Sequence, residues 1–291
     1  MSTILEVKGL TKKYKDSYFS LNNVSFSLPS GAIMGFVGEN GAGKSTTIGC
    51  ILNTLLKDSG TVKIFGREMT DDSTDIRDEI GVVYDSNAFP GHLTPAKISS
   101  AMRYIFSKWD NALFMEHLKR FKLPENQIIA DYSRGMTMKL GVAVALSHHP
   151  KLLILDEATS GLDPIVRDDI LDVFMDFVQD ENKSILLSSH ITSDLEKVAD
   201  YITFIHDGSI IFTEVKDNLL YNYGVMRCKA AQFEQIDKND MLAYRKHDYQ
   251  IDVLVSDRQA AKKKYRDVIF DSITIEEIML MLVKGERIHE K

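Results

Sequence analysis

The chain has 291 residues, about twice the usual length of one domain, which allows one large domain or two smaller ones and excludes a miniature stapled scaffold. Apolar residues make up 44% and charged residues 26%, ordinary for a globular protein and far from disordered or collagen-like chains. Thirty-five Lys and Arg against 42 Asp and Glu leave a net charge of −7, which argues against a protein whose main work is gripping nucleic-acid phosphates.

The first residues, Met1 to Glu6, lack the basic start and long apolar stretch of a targeting segment, and no apolar run approaches the ~18 residues needed to span a bilayer. The expectation is a protein that is cytosolic or peripheral. Cys50 and Cys228 have neither metal-ligand spacing nor partners for a disulfide framework, and are read as ordinary thiols of a reducing compartment.

In chain order, Val24, Phe26 and Leu28 alternate with Ser25 and Ser27, the period of a half-exposed strand in an antiparallel edge layer, and Pro29-Ser30-Gly31 then turns the chain. Ala32 to Val37 is a short apolar run, as a strand buried on both faces should be. Directly after it, Gly38-Glu39-Asn40-Gly41-Ala42-Gly43-Lys44-Ser45 matches GxxxxGK[ST], and a helical run is predicted from Thr46 to Leu56. Glycines at this spacing let backbone N–H groups ring an anionic phosphate, and the following helix aims its positive end at the same spot. Lys44 adds a point charge for the terminal phosphates, and Ser45 offers a hydroxyl to Mg²⁺. The phosphate-binding set is therefore Gly38, Asn40, Gly41, Gly43, Lys44, Ser45 and Thr46.

From about 95 to 149 the pattern changes to longer helical segments, including Ala96 to Trp109, and reads as a helical insertion. Leu152 to Leu155 is a second buried strand, ending in Asp156 and Glu157, and Ser184 to Leu187 a third, followed at the strand end by His190. Ligands of open α/β sheets sit at the carboxyl ends of strands, which places all three side chains beside the phosphates. Asp156 is the expected Mg²⁺ holder, Glu157 the group that orients the attacking water or accepts its proton, and His190 a γ-phosphate contact. Tyr201 to Thr213 reads as a hairpin about the turn signal Asp207-Gly208. Beyond Glu214 come a helix-like piece, a strand at Ile251 to Val255 and an amphipathic helix at Ile275 to Val283, a separate small α+β domain in which Lys262-Lys263-Lys264 is a solvated helix face.

Five features in this order resemble the ATP-binding cassette family: the phosphate loop, Tyr132-Ser133-Arg134-Gly135-Met136, Asp156-Glu157, Ser160-Gly161-Leu162-Asp163 and His190. The likeness covers roughly residues 4 to 214. It implies a P-loop NTPase cassette, α/β with a mostly parallel sheet, an antiparallel edge layer and a helical insertion, over 1–214, followed by an accessory α+β domain over 215–291. The segment at 132–136 stands where the family carries its LSGGQ signature and opens the helical run Met138 to Leu146, with Ser133 as a fitting N-cap. In the family this end faces the γ-phosphate of ATP held by the other copy of a head-to-tail dimer; Ser133, Arg134 and Gly135 would lie there, and Asp163 on the same seam. Tyr14 matches the aromatic on which the family stacks adenine; a surface tyrosine at a strand end is the alternative reading.

Two places depart from the family pattern. In the signature, Arg134 replaces the first glycine and Met136 the glutamine, and Asp85, after Ile80-Gly81-Val82-Val83-Tyr84, occupies the place of the Q-loop glutamine. A carboxylate at 85 can still ligate Mg²⁺ through oxygen, and the cation at 134 is placed to meet phosphate. Both departures are similar to the ABC-2 exporter branch, in which the ATPase is a separate polypeptide; the tail Asp271 to Ile278 is similar too. The resemblance implies an ATP-hydrolysing subunit on the cytoplasmic face of the membrane, held by a separate permease and exporting amphipathic or antimicrobial peptides. The permease would dock near Asp85 to Thr94, where Phe89 and Leu93 are either anchors for it or packing beneath the insertion. A soluble cassette acting on nucleic acid or ribosomes, or a regulatory cassette, are the competing readings. The acidic balance and intact Glu157 and His190 argue against them, and no nucleic-acid partner is expected.

Overall fold

The computed structural model describes residues 2–15, 19–85 and 89–288. These form two compact units, Met1–Thr213 and Glu214–Lys291. The first begins with β1 (Thr3–Lys13) and β2 (Ser20–Pro29), whose buried Val24, Phe26 and Leu28 alternate with exposed serines. β3 (Ile33–Val37), buried throughout, leads to α1 (Lys44–Ile51). β4 (Ser59–Ile64) and β5 (Arg67–Glu68) pair back toward β1, giving a four-stranded antiparallel sheet in the order β2-β1-β4-β5. After α2 (Thr74–Arg77) and β6 (Ile80–Tyr84), the helices α3 (Pro95–Ile105), α4 (Asn111–Arg120) and α5 (Arg134–Leu146) form the insertion. β7 (Leu152–Asp156), α6 (Pro164–Phe177), β8 (Ser184–Ser189), α7 (Thr192–Val198), β9 (Tyr201–His206) and β10 (Ser209–Val215) follow. They build a six-stranded sheet, β10-β9-β3-β8-β7-β6, in which β9, β3, β8, β7 and β6 run parallel.

The core of this unit joins the two sheets. Leu5, Val7 and Leu28 of the antiparallel layer, Ile48 and Ile51 of α1, and Met34, Ile154 and Leu186 of the parallel sheet belong to one apolar cluster. Phe26 stacks on Phe36 with ring centroids 5.3 Å apart. Buried apolar area of this kind holds α1, and with it the loop before it, against the sheet.

Two predicted helices are shorter than their sequence pattern. The run from 46 to 56 is helical over Lys44–Ile51, because Asn53 adopts a left-handed φ of 56° and Thr54 and Leu55 both donate to the carbonyl of Gly49, closing the helix end. The segment 96–109 is helical over Pro95–Ile105, because Phe106 leaves helical geometry to stack on buried His148, centroids 3.9 Å apart, while Ser107 bonds Asp78.

In the second unit, α8 (Lys216–Tyr221) leads to β11 (Gly224–Cys228), α9 (Ala230–Phe233), β12 (Ala243–Lys246), β13 (Ile251–Val255), α10 (Arg258–Lys264), β14 (Ile269–Asp271), α11 (Ile275–Lys284) and β15 (Glu286–Arg287). Its five strands form an antiparallel sheet, β14-β11-β13-β12-β15, packed around Met226, Cys228, Ile251, Val253 and Val255. Thr274 and Glu277 form a reciprocal cap that starts α11. Lys264 of the triple-lysine run bonds Asp240 at 2.6 Å, and Lys262 and Lys263 are exposed.

Candidate functional site

Because β3, β6, β7, β8 and β9 are parallel, their carboxyl ends share one rim, and residues distant in sequence meet there. Val37 pairs with Ser189, and Asp156 with both Ser188 and Tyr84. The phosphate loop, the two acids and His190 are thus delivered side by side.

In the loop, Gly41 and Gly43 take φ of 86° and 112°, open to glycine and costly for other residues. A Cβ on Gly43 would stand 2.7 Å from Leu21 Cδ2, so side-chain packing fixes this position as well. Lys44, only 6% exposed, donates from Nζ to the carbonyls of Gly38 at 2.7 Å and Glu39 at 3.2 Å. Asn40, Gly41 and Ser45 are exposed, with Ser45 in the first turn of α1, where backbone N–H groups have no intrahelical acceptor, and Thr46 beside it half-buried.

Glu157 is held at three points. Its backbone takes a left-handed φ of 54° with its N–H on Ser188 O at 3.0 Å, Oε1 lies 3.2 Å from Lys44 Nζ, and Oε2 lies 2.6 Å from His190 Nδ1. A non-glycine residue in this conformation costs of order 1–3 kcal/mol and persists only where its surroundings over-determine it. Asp156 is 8% exposed, and its Oδ1, like Ser188 Oγ and Thr159 Oγ1, is buried without a hydrogen-bond partner among the described residues. Buried oxygens left unpaired are expensive, and oxygens are what Mg²⁺ takes, so Asp156 with exposed Ser45 fits such an ion. Burial first, and then the charge of Asp156, push the Tyr84 phenol above its ordinary pKa, keeping that neighbour neutral.

One support of the loop has no local motif. The turn of the β9–β10 hairpin docks on the phosphate loop: Gly208 N donates to Ala42 O at 3.0 Å, and His206 Nδ1 lies 2.7 Å from Glu39 Oε1. Asp207-Gly208 marks the turn but not what it touches.

The signature-like segment lies at the start of α5. Ser133 caps the helix, its hydroxyl accepting from Met136 N at 3.2 Å, and Gly135 stands close to Val166, where an added Cβ would be 3.2 Å from a methyl. Asp163 caps α6, accepting from Ile165 and Val166 N–H at 3.1 and 3.0 Å, with Pro164 at the first helical position. Ser133 and Asp163 are exposed. Arg134, expected at a phosphate, and Asp85, expected on the metal, are ion-paired with each other, the guanidinium reaching across to the end of β6. Tyr14 is 38% exposed just past β1, with Lys12 Nζ 5.6 Å from its ring centre. Ser86, Asn87 and Ala88 of the expected docking stretch lie outside the described residues. Phe89 lines a groove of about 520 Å³ with Val82, Tyr84, Asp85, Tyr132 and Arg134, whereas Leu93 O accepts from Ile129 N at 2.9 Å.

Comparison with known proteins agrees with this geometry. The sequence profile described as ABC transporter matches residues 21–160. The bacitracin transport ATP-binding protein BcrA of Bacillus licheniformis is 32% identical over 261 residues, covering 86% of this chain and 83% of that protein. The lantibiotic transport ATP-binding protein SrtF of Streptococcus pyogenes is 32% identical over 216 residues, covering 74% of this chain and 92% of its own. Among solved structures, an ATP-binding subunit of an ABC transporter superposes with a TM-score of 0.67 at 26% identity, covering 74% of this chain and 91% of that one.

Proposed function

The chain belongs to the ABC transporter family as an ATP-binding, ATP-hydrolysing subunit of the exporter type, and from that premise we propose how its own residues act. Gly38, Asn40, Gly41, Gly43, Lys44, Ser45 and Thr46 cradle the phosphates, and Tyr14 stacks on adenine. Lys44 Nζ exchanges its loop carbonyls for phosphate oxygens. Ser45 and Asp156 would hold Mg²⁺, which when bound neutralises phosphate charge. Glu157 orients the attacking water and accepts its proton, and His190 keeps that carboxylate in place while reaching the γ-phosphate. Ser133, Gly135 and Asp163 form the seam with a second copy, head to tail.

The observation that carries this reading is the fixation of Glu157 between Lys44 and His190, at 3.2 and 2.6 Å, in a left-handed conformation. Glu157→Gln keeps the shape and removes the base. Steady-state turnover should fall by about 10²–10⁴ while ATP binding survives, and the protein should collect as an ATP-bound dimer. Unchanged turnover would remove Glu157 from the chemistry.

The partner is an integral membrane permease that docks at the groove beside Asp85 and Phe89 and holds the subunit at the cytoplasmic face of the membrane. Among the described residues no helix is long and apolar enough to cross a membrane. Peptides are the cargo class, a reading supported by the bacitracin and lantibiotic transport named for the two relatives. Gentle purification from native membranes should bring down a polytopic protein; recovery with ribosomes or DNA instead would oppose this assignment.

A further inference from the structure

The two departures from the family's pattern, 49 positions apart in sequence, touch each other. Arg134 is the first residue of α5, a 13-residue helix, so a cation stands at the positive end of the helix dipole, where charge of its own sign is disfavoured. That end also carries the Ser133 hydroxyl. The guanidinium reaches Asp85 at the end of β6 and lies against Gly161, where an added Cβ would stand 2.7 Å from Nη1 and 2.8 Å from Cζ.

Magnitude decides what such a pair does. Both side chains are about half exposed, 51% for Arg134 and 49% for Asp85, and an exposed ion pair contributes little to folding. A weak pair is still strong enough to choose between rotamers of one long side chain, since each staggered alternative differs by a small energy. We propose that Asp85 is a positioning residue whose work is to hold Arg134 on Gly161, clear of the N-terminal end of α5, so that Ser133 and Gly135 can approach the phosphate of the neighbouring molecule. Position 85 is acidic because position 134 is bulky and basic. This rests on the head-to-tail dimer proposed above. In that dimer, Asp85 acts on the seam through Arg134 and makes no contact with nucleotide of its own.

The arrangement predicts one-way suppression. In the full chain carrying Glu157→Gln, ATP-dependent dimerisation is followed by sedimentation velocity with Mg²⁺ and ATP. Asp85→Asn should weaken the dimer about tenfold, within the range of coupling between residues in contact. Arg134→Ala should leave the dimer within about threefold of the parent, and Asp85→Asn with Arg134→Ala should return to the same level, because the obstruction is gone. Melting of the nucleotide-free variants should move by no more than about 2 °C, as expected for an exposed pair. The proposal is overturned if Arg134→Ala leaves the Asp85→Asn loss intact, which would make Asp85 a metal or nucleotide contact in its own right. It is equally overturned if Arg134→Ala alone abolishes dimerisation, which would make the guanidinium itself a phosphate ligand, or if the Asp85→Asn loss follows a fall in melting temperature. Failure of the Glu157→Gln parent to dimerise with ATP is a separate result, visible before any second substitution; it refutes the dimer reading and this inference with it.

Discussion

The two units solve the problem of polar groups in opposite ways. In the first, a parallel sheet gathers side chains from far apart on one rim, and several stay incompletely paired there: Asp156 Oδ1, Thr159 Oγ1 and Ser188 Oγ have no partner among the described residues. In the second, an antiparallel sheet sets charges opposite each other on neighbouring strands, where they neutralise one another. Arg227 pairs with Asp271 and lies 3.5 Å from Asp252, and off the sheet Asp240, in the turn before β12, accepts from Lys264 at 2.6 Å and from Tyr265 at 2.5 Å at the end of α10. The Arg227 guanidinium is pushed above its ordinary pKa chiefly by its bond to Asp271. Buried polar atoms left short of partners cost stability; some lie elsewhere, such as His148 Nδ1 and, in the second unit, Arg258 Nε, but the group of oxygens at the rim is what a cation or water could complete. Paired charges in the other unit serve its fold.

That contrast predicts where a substitution will be felt. Met226→Ala removes a fully buried side chain from the core of the second unit and should destabilise it by about 2–5 kcal/mol, seen in its own unfolding transition, while the affinity for ATP measured by calorimetry stays as it was. A large loss of ATP affinity would show that the separation of roles is false. Lys44→Ala should do the reverse. It removes a buried cation that makes its contacts at the rim, and ATP affinity should fall about tenfold to a hundredfold, the worth of ~1.5–3 kcal/mol for a hydrogen bond to a charged group. Folding should be affected less than binding; equal affinity in the variant would mean that the loop does not grip phosphate through Lys44.

Much of the rim was readable because the chemistry there depends on local rules. A glycine spacing, an apolar run stopping at two acids, Ser133 before a helix and Asp163 before Pro164 each need only a few neighbouring residues to be recognised. What escaped depends on partners distant in the chain. The end of α3 is set by His148, the pose of Arg134 by Asp85, and the support of Glu39 by His206. The second unit was harder still. β14 and β15 span three and two residues, and half-buried positions in β12 and β14 blur the alternation that would announce a strand.

His148 gives the smallest and most specific test of these distant contacts. It is 1% exposed, stacks on Phe106 with an interplanar angle of 11°, and its Nε2 lies 3.2 Å from Ile80 O. Burial holds its imidazole below the ordinary histidine pKa, against a partial upward pull from nearby carbonyls. The unfolded chain therefore binds the proton more readily than the folded one. The stabilisation is fully present above the unfolded pKa of about 6.5 and declines as the pH falls below it. His148→Phe keeps the stack and forfeits one hydrogen bond, at a cost of about 1 kcal/mol at pH 8, but it has no proton to take up. The melting temperature of the variant should consequently decline less than that of the parent between pH 8 and 5.5. Some slope should remain, because His117 is also held low by burial. Parallel curves for parent and variant would mean that the acid sensitivity of this unit comes from other groups, and that the contact ending α3 is indifferent to the charge on His148.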